Sequence, residues 1–202
     1  FIEMNAGSGW EHLNLTLGAY ADTLAVQGNN AAVTTIELDP FGTDKSVKTL
    51  GQTDDHLIVD QMNHEITVLG YVGEDLFDIN SAQTTDVDSP TLNIDGGEQS
   101  DLYNFYLTGA TGLLVNQFNT GLERGQDKAF VYGTDQADFI HLFTNGYSLP
   151  SDFGQSSYIP EGSVTLGLDA AREQIAYSGI SDLTIEAGDG NDQVLADGSA
   201  VP

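Results

Sequence analysis

One short pattern recurs along this chain and limits what it can build: a Gly, an acidic residue four or five positions later, then apolar residues two and four positions beyond. Gly18 precedes Asp22, Leu24 and Val26; Gly51 precedes Asp55, Leu57 and Val59; Gly70 precedes Asp75, Phe77 and Ile79. The series continues with Gly96, Asp101, Tyr103 and Phe105, with Gly133, Asp138, Ile140 and Leu142, and with Gly188, Asp192, Val194 and Ala196, while Glu11 and Asp127 head weaker copies. Alternating segments lead into several of these glycines, as in Leu13-Asn14-Leu15-Thr16-Leu17, Ile66-Thr67-Val68, Leu92-Asn93-Ile94 and Leu183-Thr184-Ile185. The unit reads strand, corner, strand. Gly permits the positive φ of a tight corner, the acidic residue ends the turn, and the apolar pair starts a strand with one buried face.

Acidic positions 55, 75, 101 and 127 are separated by 20, 26 and 26 residues, a spacing that suits one coil of a stack. The expected fold is all-β: a parallel β-solenoid of the right-handed β-helix or β-roll kind, residues 1–202 forming a single module. One irregular loop excursion is expected at 145–162, where Pro150, Pro160 and a Ser-, Gly- and Tyr-rich run break the pattern. Helical patterning is confined to a stretch near Asp169 to Ala176. Gly9 to Asp22 aligns without gaps to Gly179 to Asp192, with Gly9, Leu13, Gly18, Asp22 and Gly28 recurring at Gly179, Leu183, Gly188, Asp192 and Gly198, always 170 residues on. Either residues 9–178 are one super-repeat and 179–202 open the next, or one coil merely resembles another.

Five Lys and Arg stand against 31 Asp and Glu, a formal charge of −26. Such a chain repels nucleic acid and anionic membrane surfaces, because binding either needs clustered cations. No apolar run approaches the roughly 20 residues that span a bilayer, so no membrane insertion is expected. Zero Cys excludes disulfide scaffolds, thiolate zinc sites and cysteine nucleophiles. A hydrophobic content of 40% supplies the apolar surface that a disordered chain lacks. With neither an initiator Met nor a leader, the sequence reads as a mature or internal stretch of a longer protein.

Gly70 to Asp78, through Gly70, Gly73, Asp75 and Phe77, resembles the calcium-binding repeats of the RTX type, whose nine-residue unit is G-G-x-G-x-D-x-U-x with U apolar. Ala187 to Leu195 resembles them through Gly188, Gly190, Asp192 and Val194, and Gly96 to Asn104 fits less fully. Leu183 to Asp192 also looks like segments of very long secreted repeat proteins and adhesins. The resemblance implies calcium binding and an extracellular or cell-surface location. Calcium-binding members carry several nonapeptides in immediate tandem, and this chain does not.

Electrostatics points the same way. Coils stacked about 4.8 Å apart place equivalent side chains in ladders, and a carboxylate ladder at that spacing is repulsive by roughly 1 kcal/mol per pair even in water-like dielectric. Five basic residues cannot neutralise it, which leaves divalent cations, Ca2+ above all, held by carboxylates and turn carbonyls. The candidate ligands are Asp75, Asp101, Asp189 and Asp192 with the carbonyls of Gly73, Gly97 and Gly190, followed by Asp22, Asp55 and Asp138. The alternative use of each Asp is to cap its own turn by accepting a backbone N–H.

No catalytic residue is assigned. His12, His56, His64 and His141 lie apart, and neither a His-Glu-x-x-His nor a Gly-x-Ser-x-Gly motif occurs. The expectation is a non-enzymatic structural repeat module of a filament, stalk or adhesin, self-associating head to tail. The competing class is a β-helix that acts on or binds polysaccharide, with Trp10, Tyr147, Phe153 and Tyr158 as glycan contacts. Phe77, Tyr103 and Phe105 are expected inside the coil, and Asn14, in the sequon Asn14-Leu15-Thr16, outside it.

Overall fold

A computed structural model of the chain describes residues 11–18, 20–29, 31–39, 54–80, 91–109, 111–120, 125–143, 162–166 and 173–196. These residues contain no helix. Their first strands are β1 His12–Thr16, β2 Thr23–Gln27, β3 Val33–Glu37, β4 His56–Gln61 and β5 Glu65–Leu69. Next come β6 Leu76–Asn80, β7 Thr91–Asp95, β8 Leu102–Tyr106, β9 Leu114–Phe118 and β10 Asp127–Tyr132. The last are β11 Phe139–Phe143, β12 Gly162–Leu166, β13 Glu173–Tyr177, β14 Ile180–Glu186 and β15 Gln193–Ala196.

The strands share two sheets. One has the order β1-β3-β5-β7-β9-β13-β12-β11-β15, the other β14-β10-β8-β6-β4-β2. From β1 to β10 the chain alternates between the sheets, and each strand from β1 to β8 pairs in parallel with the strand two steps on, while β9 pairs in parallel with β13. The strands β11, β12 and β13 form antiparallel pairs, after which β14 and β15 stack in parallel on β10 and β11.

The core lies between the sheets, and its columns follow from the register. Leu57, Phe77, Tyr103 and Ala129 align across β4, β6, β8 and β10, as do Val59, Ile79, Phe105 and Val131, and all eight are buried. The Phe77 and Tyr103 rings stack with centroids 4.9 Å apart and planes 9° from parallel, because the strand spacing sets aligned rings at a separation suited to offset stacking. The expected inward placement of Phe77, Tyr103 and Phe105 is met, and Asn14 is exposed on β1.

Two expectations change, and a third observation concerns the 170-residue offset. Strict alternation fails on β7 and β9, where Leu92 and Asn93, and likewise Val115 and Asn116, are all buried. Asn116 Nδ2 donates to Asn93 Oδ1 at 2.8 Å and Asn93 Nδ2 to Glu65 Oε1 at 3.1 Å, which lets amides sit on a buried face. Glu173 to Ala176, part of the helically patterned stretch, belongs to β13, since pairing with β9 and β12 on both edges outweighs a short local preference. The segments related by the 170-residue offset lie in opposite sheets: β1 and β15 in the nine-stranded sheet, β14 and β2 in the six-stranded one. The loop excursion at 145–162 lies outside the described residues, apart from Gly162 at the start of β12.

Candidate functional site

The parallel register aligns Thr23, His56, Leu76, Leu102 and Lys128. One residue earlier, where each corner ends, Asp22, Asp55, Asp75, Asp101 and Asp127 form a row. Each main chain holds the next carboxylate: Asp22 N–H donates to Asp55 Oδ1 at 2.7 Å, Asp55 N–H to Asp75 Oδ1 at 2.8 Å, Asp75 N–H to Asp101 Oδ1 at 3.0 Å and Asp101 N–H to Asp127 Oδ1 at 3.0 Å. The far end is closed by Asn119, whose Nδ2 donates to Asp127 Oδ2 at 2.5 Å. A second, shorter row occupies the corners that lead into β11 and β15, where Asp138 N–H donates to Asp192 Oδ1 at 3.0 Å. The Asp residues thus link neighbouring rungs. Turn capping within a corner is seen at Asp22, which accepts Gly18 N–H, and at Asp138, which accepts Thr134 N–H.

Of each central carboxyl, only one oxygen is served. Asp55, Asp75 and Asp101 are buried, and their Oδ2 atoms have no hydrogen-bond partner. Burial pushes the Asp55 carboxyl up to about 6, Asp75 to about 8 and Asp101 to about 9. The donated backbone N–H opposes this in each, and neighbouring carboxyls add to it: Asp22, Asp39 and Asp54 at Asp55; Asp55, Asp54 and Asp39 at Asp75; Asp127, Asp75 and Asp95 at Asp101. A raised carboxyl that keeps its proton adds no charge to the row.

The corner glycines serve close packing more than backbone freedom. A Cβ on Gly96 would collide with Asp101 Oδ2 and the Tyr103 hydroxyl, and one on Gly70 with the Gly96 carbonyl and, at 2.7 Å, Asp75 Oδ2. Gly133 repeats the arrangement with Ala187 O and Asp138 Oδ2. Of the motif-leading glycines described, Gly188 alone has positive φ (89°); the left-handed positions otherwise fall later in the corner, at Gly73, Gly97 and Gly190. Those three are the glycines expected to offer carbonyls.

The structure therefore brings Asp22, Asp55, Asp75 and Asp101 into one row and pairs Asp138 with Asp192, while Asp189 stands exposed at the corner after β14. Asp127, a weak copy in sequence, is a full member of the row; its 26-residue spacing from Asp101 was the signal. Among the described residues no three His, Asp or Glu side chains converge as a metal cage. The donors nevertheless include oxygens of the kind a hard cation takes: at Gly70 the orphaned Asp75 Oδ2 and the Gly96 carbonyl face the same glycine. They fall short in number of the 6–8 oxygens calcium takes, so ligands from neighbouring rungs or water would be needed.

Sequence reading missed three polar arrangements. Glu173, fully buried, accepts from Thr108 N–H at 2.7 Å, Thr108 Oγ1 at 2.8 Å, Gly109 N–H at 2.9 Å and Thr111 Oγ1 at 2.5 Å. Asn29 accepts Asn63 N–H and His64 N–H while donating to the His64 carbonyl, tying one corner to the next. On the outer face of the six-stranded sheet, Asp78 bridges His56 Nε2 at 2.7 Å and Asn104 Nδ2 at 2.8 Å. Each joins residues more than 20 positions apart, out of reach of local pattern. Compared with known proteins, the chain matches no family profile, no curated protein and no solved structure.

Proposed function

We propose that the chain is a parallel β-solenoid module, wound right-handed as parallel crossovers almost always are, of a long secreted or cell-surface protein that serves as a filament, stalk or adhesin. It works by holding shape. The observation that carries this reading is the aspartate row: five successive rungs keep one register and are bonded to each other through the same atoms, so the architecture extends by repetition. Its partners are further copies, head to tail, and divalent cations. Calcium is the natural cation for the row, taking the free Oδ2 atoms of Asp55, Asp75 and Asp101 and displacing their protons.

Two measurements test the parts separately. Two copies joined in one chain should show a maximum dimension in X-ray scattering greater by roughly 40 Å than one copy, nine strands at about 4.8 Å each; two copies folding side by side would overturn the module reading. For calcium, EDTA should lower the melting temperature followed by circular dichroism, and excess Ca2+ should restore it. An unchanged melting temperature would remove calcium from the proposal and leave the module standing.

A further inference from the structure

Both rows share one direction: the N–H of the earlier Asp donates to the Oδ1 of the later one. Among the described residues, no group donates to Asp22 Oδ1 at the start of the first row, and the Asp192 N–H has no acceptor at the end of the second. The strands around these two residues are equally unfinished. Among the described residues, β1 and β2 each pair on one edge only, with β3 and β4, and β14 and β15 likewise, with β10 and β11. Val194 and Leu195 are 56% and 48% exposed, although Val194 aligns with buried Ile140 in an interior column. The two unfinished units are also the two that correspond in sequence. Leu13, Gly18 and Asp22 recur at Leu183, Gly188 and Asp192, with corners of equal length.

Resting on the module reading above, we infer that the β14–corner–β15 unit of one copy receives the β1–corner–β2 unit of a second copy as its next rung, Asp192 N–H donating to Asp22 Oδ1. The register of β10–corner–β11 on β14–corner–β15 is the template. It sets Leu13 over Leu183, Leu15 over Ile185, Leu24 over Val194 and Val26 over Ala196, apolar on apolar throughout. Because β14 lies in the six-stranded sheet and β1 in the nine-stranded one, each sheet of one copy continues as the other kind of sheet in the next. Two chains of formal charge −26 repel, so stacking strengthens as salt screens them.

The absence of native cysteine makes the register directly testable. Leu195 and Ala25 both point outward and become neighbours across the inferred junction, whereas Thr23 lies two residues out of register. Leu195→Cys mixed with Ala25→Cys at high salt should form a disulfide-linked heterodimer under mild oxidation at least tenfold faster than Leu195→Cys mixed with Thr23→Cys. Sedimentation of the unsubstituted chain should show mass rising with concentration. Equal linking rates, faster linking of Leu195→Cys to itself, or no linked product from variants with unchanged circular dichroism would overturn the inference. Should linking fail while the two-copy chain still lengthens in scattering, the stacking register is wrong and the module reading stands.

Discussion

Asp101 bears the clearest consequence of the row. A carboxyl whose folded-state pKa lies above its unfolded value of 3.8 keeps its proton longer folded than unfolded. Its contribution to stability is therefore full below about pH 4 and is lost as pH rises, through windows that close near 6 for Asp55, 8 for Asp75 and 9 for Asp101. In EDTA, the melting temperature should fall steadily from pH 5 to pH 9. Asp101→Asn keeps the Oδ1 acceptor without the charge, so its curve should be flatter and cross above the parent at pH 9; a parent curve that is level or rising over this range would show that the row holds no protons. Gly96→Ala should destabilise by roughly 3 kcal/mol or prevent folding, since the new methyl meets Asp101 and Tyr103. By contrast, Gln99, held at φ 80°, gains from Gln99→Gly by up to about 1 kcal/mol, read from urea midpoints. That Gly96 is a packing glycine could not be read from sequence, because the motif looks the same whether backbone freedom or a close neighbour demands it.

Among the strands, β13 depends most on a single side chain. Glu173 opens it and draws in Thr108, Gly109 and Thr111 through four donors. Glu173→Ala leaves those half-buried donors unserved and should cost on the order of 2 kcal/mol in urea unfolding, with Glu173→Gln intermediate because it retains one acceptor. Phe77→Ala, which empties the column between Leu57 and Tyr103, should cost about 3–5 kcal/mol. A result under 1 kcal/mol for Phe77→Ala would mean that the inner columns do not carry the packing. The strands on either side of the corners were legible because a period of two with one buried face is a local signal. β13 was not: its residues carry a short helical pattern, and only the partners on either edge make it a strand.

Taken as one body, the chain joins a high negative charge to a core that runs continuously between two sheets, and salt should therefore act on it twice. Added NaCl should raise the melting temperature of the single copy by screening its own repulsion, and should raise its mass in sedimentation by screening repulsion between copies. Loss of either response at neutral pH would indicate that the row's charge is already neutralised by tightly held ions. Alternation, corner glycines and the acidic residue after them are short-range properties, so the all-β class, the inward Phe77, Tyr103 and Phe105 and most of the Asp row could be named from the chain alone. The long-range facts could not. Which oxygen each N–H serves, why Asp127 is a full rung, why Asn93 and Asn116 are buried, and why segments 170 residues apart sit in opposite sheets all depend on which strand lies beside which. Hydrogen bonds along the Asp rows join residues 20 to 54 positions apart, and no local pattern encodes the partner at that distance.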